Sequence, residues 1–176
     1  QRKYPQWELC NKDLKRFLSD GVGGVILFGG STIELEERSK QLKQWAKNSL
    51  FICADVEEGL GQRFNGGSWL IPPLAVGQIY RNSPDHAIKL AYQYGVSTAS
   101  QARRCGLNWV LAPVCDINSN PKNPVINMRS WGESSHQVAV LSTAFHQGLS
   151  SQGVLSCAKH FPGHGDTLVD SHLELP

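Results

Sequence analysis

The chain has 176 residues, enough for one ordinary domain with a sizeable core, and 40% hydrophobic against 18% charged residues is a globular balance. A net charge of +2, with no Lys/Arg block and no basic stripe interleaved with aromatics, argues against a nucleic-acid partner. No apolar run approaches the length of a membrane span, so no membrane partner is expected.

Leu9 to Leu18 reads as a short helix with Leu14, Phe17 and Leu18 on one side, ended by Gly21, Gly23 and Gly24. Val25–Phe28 reads as a buried strand. Ser31 then opens a helix, with Glu34 completing a capping box. That helix is expected to run to about Lys47, with Ile33, Leu35, Leu42 and Trp45 as its core residues. A second strand, Leu50–Ala54, ends in Asp55. The loop after it carries Arg63 and Gly66-Gly67, and Pro72 and Pro73 read as a continuation of the irregular crossing. Ser83 and Pro84 begin the next helix, with Ala87, Leu90, Ala91 and Tyr94 as its stripe and Gly106 as its stop. A third strand, Asn108–Pro113, leads to Asp116 and to a loop holding Arg129. Ser134–Ser151 reads as a helix with Val138, Leu141, Phe145 and Leu149 on one face. A fourth strand follows over Val154–Ala158.

Strand, loop and helix therefore alternate with no hairpin signal, which demands parallel strands with helical crossovers. The loops after the strands are long and polar, and those before them are short. A doubly wound sheet shares the alternation. A TIM-type (β/α)8 barrel fits better, because successive strands each deliver a polar group at their C-terminal ends. Such a barrel needs about 250 residues, so the expectation is a single partial barrel domain over residues 1–176, with about four strand–helix units and truncated at both ends. The cysteines Cys10, Cys53, Cys105, Cys115 and Cys157 are odd in number and form no Cys-x-x-Cys pair. They read as reduced thiols of a reducing compartment, which favours the cytoplasm.

Chemistry concentrates in the last loop. Lys159, His160, His164, Asp166, Asp170 and His172 crowd together where Pro162, Gly163 and Gly165 forbid a regular helix. A solvated surface loop has few histidines, so this composition points to function. With Asp55 and Arg63, and Asp116 and Arg129, at the ends of earlier strands, the converging acids and cations suit a ligand dense in hydroxyls, a sugar above all. Arg129 by composition alone is equally a loop salt-bridge partner, and Asp116 reads better as the closer of an Asx turn before Asn118. Asp170-Ser171-His172 supports acid/base work, because a carboxylate beside an imidazole fixes its tautomer and raises its basicity. In an extended loop, two residues apart, both side chains point to one side. A structural Asp–His hydrogen bond is the plain alternative. A metal site on His160, His164, Asp170 and His172 is the sharpest competitor. It is disfavoured because a four-residue spacing presents both histidines on one face only in a helix, and no Glu lies between them as in zinc proteases. No metal or organic cofactor is expected.

Lys159-His-Phe-Pro-Gly-His-Gly-Asp-Thr, with Asp170-Ser-His172 and Leu175-Pro176, resembles the signature of glycoside hydrolase family 3, most closely its β-N-acetylglucosaminidase (β-hexosaminidase) branch. Asp55-Val-Glu-Glu-Gly-Leu-Gly-Gln-Arg-Phe64 resembles the family's Asp-x-Glu-Gly-Gly…Gln-Arg-Phe segment, with Glu58 and Leu60 where Gly and Arg are common. Ala112–Asp116 and the Arg129 loop fit in order and spacing. The resemblance implies that Asp55, Arg63, Arg129, Lys159 and His160 bind the terminal sugar and that His172, paired with Asp170, is the general acid/base. It implies a nucleophilic aspartate on a later strand, matched by no position up to Pro176, and a first strand before Gln1. The activity implied is retaining, exo-acting release of β-linked N-acetylhexosamine. The alternatives are a β-glucosidase-like or phosphorolytic member, and a non-catalytic sugar-binding barrel.

Overall fold

The structure, a computed structural model, describes residues 10–176. Five helices and six short strands run in the order α1 (Asn11–Ser19), β1 (Gly24–Ile26), β2 (Gly30–Ser31), α2 (Thr32–Trp45), β3 (Phe51–Ala54), β4 (Phe64–Asn65), α3 (Pro73–Asn82), α4 (Pro84–Arg104), β5 (Trp109–Val110), α5 (Ser135–Ser151) and β6 (Leu155–Ser156). The main sheet is entirely parallel, in the order β1-β3-β5-β6. Its order follows the chain without reversal. A doubly wound sheet would reverse at a switch point, so this is the succession of a TIM-type barrel, present as an incomplete arc.

The two faces of the arc differ. In register across the sheet lie Ile26, Cys53, Trp109 and Leu155. Side chains alternate along a strand, so this row and Phe51 share the face that a closed barrel turns inward. Ile26 and Leu155 are half exposed, at 49% and 51%, and the Phe51 and Trp109 rings meet edge to face at 5.8 Å. The opposite face, with Ile52, Ala54 and Val110, is fully buried in one cluster with Leu42, Ala91, Leu141 and Phe145 of the helices.

The helices form where caps and stripes place them. Ser31 Oγ accepts from the Glu34 N–H, and the Glu34 carboxylate accepts from the Ser31 N–H at 2.7 Å, closing the capping box. Ser134 caps α5, whose Val138, Leu141, Phe145 and Leu149 are all buried. Helices α4 and α5 cross at paired glycines. A Cβ on Gly95 would lie 2.2 Å from the Phe145 carbonyl oxygen, and one on Gly148 would lie 2.2 Å from that of Tyr92.

The structure departs from the sequence reading at several places. The strand expected as buried over Val25–Phe28 covers Gly24–Ile26, with Ile26 and Phe28 exposed because this inward face meets no opposing strands among the described residues, and the fourth strand is shortened to Leu155–Ser156. Leu9 lies outside the described residues, and α1 begins at Asn11. Ile33, expected in the core, is 70% exposed, while Leu35 and Leu42 are buried. Pro73 opens α3 instead of prolonging the loop; at the first helical turn its missing N–H costs nothing. The loop after β3 contains β4, which pairs with β2 in a small parallel ribbon. Among the described residues no helix is long and apolar enough to cross a membrane, and all five cysteines are unpaired.

Candidate active site

The candidate side chains gather beyond the C-terminal ends of β3, β5 and β6. Strand β3 ends at Ala54, and the chain leaves it through Asp55, Val56 and Glu57. Val56 is fully buried, while Asp55 and Glu57 both reach Lys159. Lys159 Nζ lies 2.7 Å from Asp55 Oδ1 and 2.6 Å from Glu57 Oε1. Arg129 grips the same glutamate with both arms: Nε donates to Oε2 at 2.9 Å and Nη2 to Oε1 at 2.8 Å. Its third nitrogen donates to the Val125 carbonyl at 3.1 Å. Arg63 Nε donates to the backbone oxygen of Asp55 at 3.2 Å.

Glu57 is thus the hub of the site, and only 4% of its side chain is exposed. Burial pushes its carboxyl upward, but hydrogen bonds from Arg129 and the charges of Lys159 and Arg129 overcome that and hold it down to about 2. Arg129 is raised in turn: burial lowers it, and the hydrogen bond and charge of Glu57 outweigh the burial.

Asp116 organises the second half. Its Oδ2 lies 2.5 Å from His160 Nδ1 and accepts from the His160 N–H at 3.2 Å, while Oδ1 accepts from the His164 N–H at 2.6 Å. Burial opposes its charge, and the bonds from His160 and His164 hold the carboxyl below its ordinary value. His160 therefore donates from Nδ1. Its Nε2 faces Arg129 Nη2 at 3.4 Å, and a guanidinium can only donate, so Nε2 is the acceptor.

Asp170 and His172 meet as well. His172 Nδ1 lies 2.6 Å from Asp170 Oδ1, which also accepts from the His172 N–H at 2.9 Å. These two bonds, backbone first, lower the Asp170 carboxyl. The imidazole is 79% exposed, so Nε2 is open to a reactant. The segment is a turn and not the extended loop expected: the Leu173 N–H returns to the Asp170 carbonyl at 2.9 Å. The pairing of the two side chains comes from that turn.

The structure brings together Asp55, Arg63, Arg129, Lys159 and His160, and separately Asp170 with His172. Arg129 takes Glu57 as its ion-pair partner. One further expectation changes. Asp116 closes no turn onto Asn118, whose N–H goes to the Gly132 carbonyl at 2.9 Å. The residue missed is Glu57. Its signal was present in the alternation of Asp55, Val56 and Glu57, which sends both acids to one side of an extended chain. Glu58 accepts from the Trp69 indole at 2.7 Å, and Leu60 is buried. His160 and His164 rings stand edge to face at 6.3 Å, with Nδ1 of His164 against Thr167 Oγ at 2.5 Å.

Parallel strands in chain order, with acids, cations and imidazoles all gathered beyond their C-terminal ends, define a portion of a TIM-type barrel with its site on that rim. The chain belongs to glycosyl hydrolase family 3: residues 5–176 match the family's N-terminal domain. A beta-hexosaminidase of Xylella fastidiosa strain M23 is 36% identical over 160 residues, which is 89% of this chain and 47% of that protein. The crystal structure of NagZ from Neisseria gonorrhoeae in complex with N-trifluoroacetyl-D-glucosamine superposes with a TM-score of 0.84 at 34% identity, over 96% of this chain and 51% of that one. The beta-glucoside phosphorylase BglX bound to 2FGlc superposes at 0.78 and 28% identity, over 85% of this chain and 26% of that one. The chain spans about half the length of the curated relatives it matches.

Proposed function

We propose that this chain carries the sugar-binding and acid/base half of a retaining, exo-acting glycoside hydrolase that releases terminal β-linked N-acetylhexosamine. The observation that carries the reading is the Asp170–His172 bond of 2.6 Å with the imidazole otherwise open. A purely binding loop has no need of an oriented, exposed base.

Asp55, Arg63, Arg129, Lys159 and His160 hold the terminal sugar. Asp55 accepts from hydroxyls, while Lys159, Arg129 and His160 are held in fixed places by Glu57 and Asp116, so little ordering is left for binding to accomplish. Asp170 keeps the hydrogen on Nδ1 of His172. When His172 is cationic, its Nε2–H protonates the departing glycosidic oxygen. The neutral imidazole then takes a proton from the water that releases the sugar. Asp55, Glu57 and Asp116 are engaged with Lys159, Arg129 and His160. The family resemblance implies that the nucleophile is an aspartate on a later strand of the full-length protein, on the opposite face of the sugar. The similarity to a beta-glucoside phosphorylase supports a second reading, in which phosphate and not water accepts the sugar.

The test is to follow hydrolysis of an aryl β-N-acetylglucosaminide by the full-length protein using proton NMR. First-formed product of β configuration supports the reading. An α product, or no cleavage, contradicts it. A rate that requires inorganic phosphate, with a sugar phosphate formed, selects the second reading.

A further inference from the structure

His164 has no part in the chemistry above, yet it is the buried imidazole of the loop. Both of its ring nitrogens are hydrogen-bonded. Thr167 Oγ lies 2.5 Å from Nδ1 and 3.1 Å from the His164 carbonyl oxygen. Nε2 shares a hydrogen bond with Ser171 Oγ at 3.1 Å.

The base of this imidazole is firmly set. Asp116 takes the His164 N–H, and Asn123 Nδ2 donates to the His164 carbonyl at 2.6 Å and to the Thr167 carbonyl at 3.1 Å. Gly165 packs so closely on the next loop that a Cβ there would lie 1.8 Å from the Ile117 carbonyl oxygen. Residues 164–167 are thereby joined to residues 116–123.

Residues 170–176 lack such support. Leu173 and Leu175 are exposed. The turn's other hydrogen bonds are internal: His172 to Asp170, and the Leu173 and Glu174 N–H groups to the Asp170 carbonyl. Among the described residues, the one hydrogen bond joining this segment to the rest of the chain is His164 Nε2 with Ser171 Oγ.

We propose that His164 is a positioning residue for His172: through the Ser171 hydroxyl it anchors the turn that presents the acid/base. The proposal rests on the glycosidase reading above. Ser171 lies between the two members of the dyad, so losing its bond frees the turn as a unit and leaves the Asp170–His172 bond intact. The imidazole keeps its basicity and reaches the leaving oxygen less often. The cost falls on proton transfer and not on sugar binding, because Lys159, Arg129 and His160 are held independently.

The experiment uses the full-length protein with Ser171→Ala and Ser171→Thr. For a β-N-acetylglucosaminide with a poor leaving group, Ser171→Ala should lower kcat about 5–10-fold, the equivalent of one hydrogen bond, with KM unchanged and the pH profile unshifted. An activated aryl glycoside should lose less in its first step, and Ser171→Thr should restore the rate. Amide hydrogen exchange over residues 170–174 should accelerate about 5–10-fold in Ser171→Ala, with residues 159–167 unchanged. An unaltered kcat, an equal loss on both substrates, or a loss seen chiefly in KM would overturn the proposal. If the parent protein cleaves no glycoside, the glycosidase reading fails by itself. Exchange then decides the anchoring: faster exchange upholds the His164 tether and unchanged exchange refutes it.

Discussion

Replacing Glu57 by Gln keeps the volume of the hub and removes its charge. In the folded protein this carboxyl is held down to about 2 from an ordinary 4.5, which corresponds to about 3 kcal/mol of folding stability when the group is ionised in both states. A folded-state value below the unfolded one stabilises above the unfolded value and loses that contribution as pH falls through the folded one. The contribution should therefore be complete above about pH 5.5, about 1.5 kcal/mol at pH 3, and gone below about pH 1.5. Glu57→Gln in the full-length protein should lower unfolding stability by about 3 kcal/mol at pH 7, at the low end for breaking a buried ion pair. The gap between variant and parent should narrow by about half at pH 3. Denaturant melts at the two pH values measure it, and both proteins share every other titrating group, so the difference isolates this one. A gap that stays constant between pH 7 and pH 3 would show that shape and not charge ties Arg129 and Lys159 to this position.

Gly148→Ala should cost about 3 kcal/mol or more, because the added methyl meets the Tyr92 carbonyl oxygen at 2.2 Å where two helices cross. Gly23→Ala, with nothing within 4 Å of the new methyl, should lie within about 1 kcal/mol of the parent; thermal melts that rank the two alike would refute the crossing argument. Dialysis of the full-length protein against a strong chelator should leave its turnover unchanged, since the ring nitrogens of His160 and His164 are committed to Asp116, Arg129, Thr167 and Ser171; a loss restored by zinc would contradict this. Residues 1–176 as a separate polypeptide should show no glycosidase turnover and should self-associate, because among the described residues β1 and β6 are the sheet's edges with no further strand beside them, and the inward face bears exposed Ile26, Phe51 and Leu155; a monomeric, cooperatively melting, active polypeptide would refute it.

The parts of this fold legible from sequence are those set by local chemistry. Ser31 with Glu34 announces a helix start wherever it occurs, and the stripe Val138, Leu141, Phe145 and Leu149 needs only the 3.6-residue period. The alternation of strands and helices restricts the sheet to parallel. Ile33 misled because an apolar residue in the first turn of a helix lies on the core side only if the neighbouring loop covers it, and here the loop does not. Helix α3 was hidden by Pro72-Pro73, a pair that reads equally as a loop or as a helix start. In the site, the residue types, their placement beyond the strand ends and the local Asp170–His172 contact are readable, and the partnerships between distant segments are not. Arg129 could be matched with any acid within reach, and Glu57 became its partner only when β3 and the loop after β5 were brought together. Asp116 looked like a turn residue because nothing in its own neighbourhood shows that His160 and His164 return to it from β6.

The central claim is that His172 moves the proton, and leaving-group dependence tests it most directly. In the full-length protein, His172→Ala should cut turnover about 10²–10⁴-fold on a glycoside whose leaving group needs protonation. It should slow the first step much less on an activated aryl glycoside, and Asp170→Asn should follow the same pattern more mildly. Small and equal losses on both substrates would remove His172 from the acid/base role and with it the account of this site.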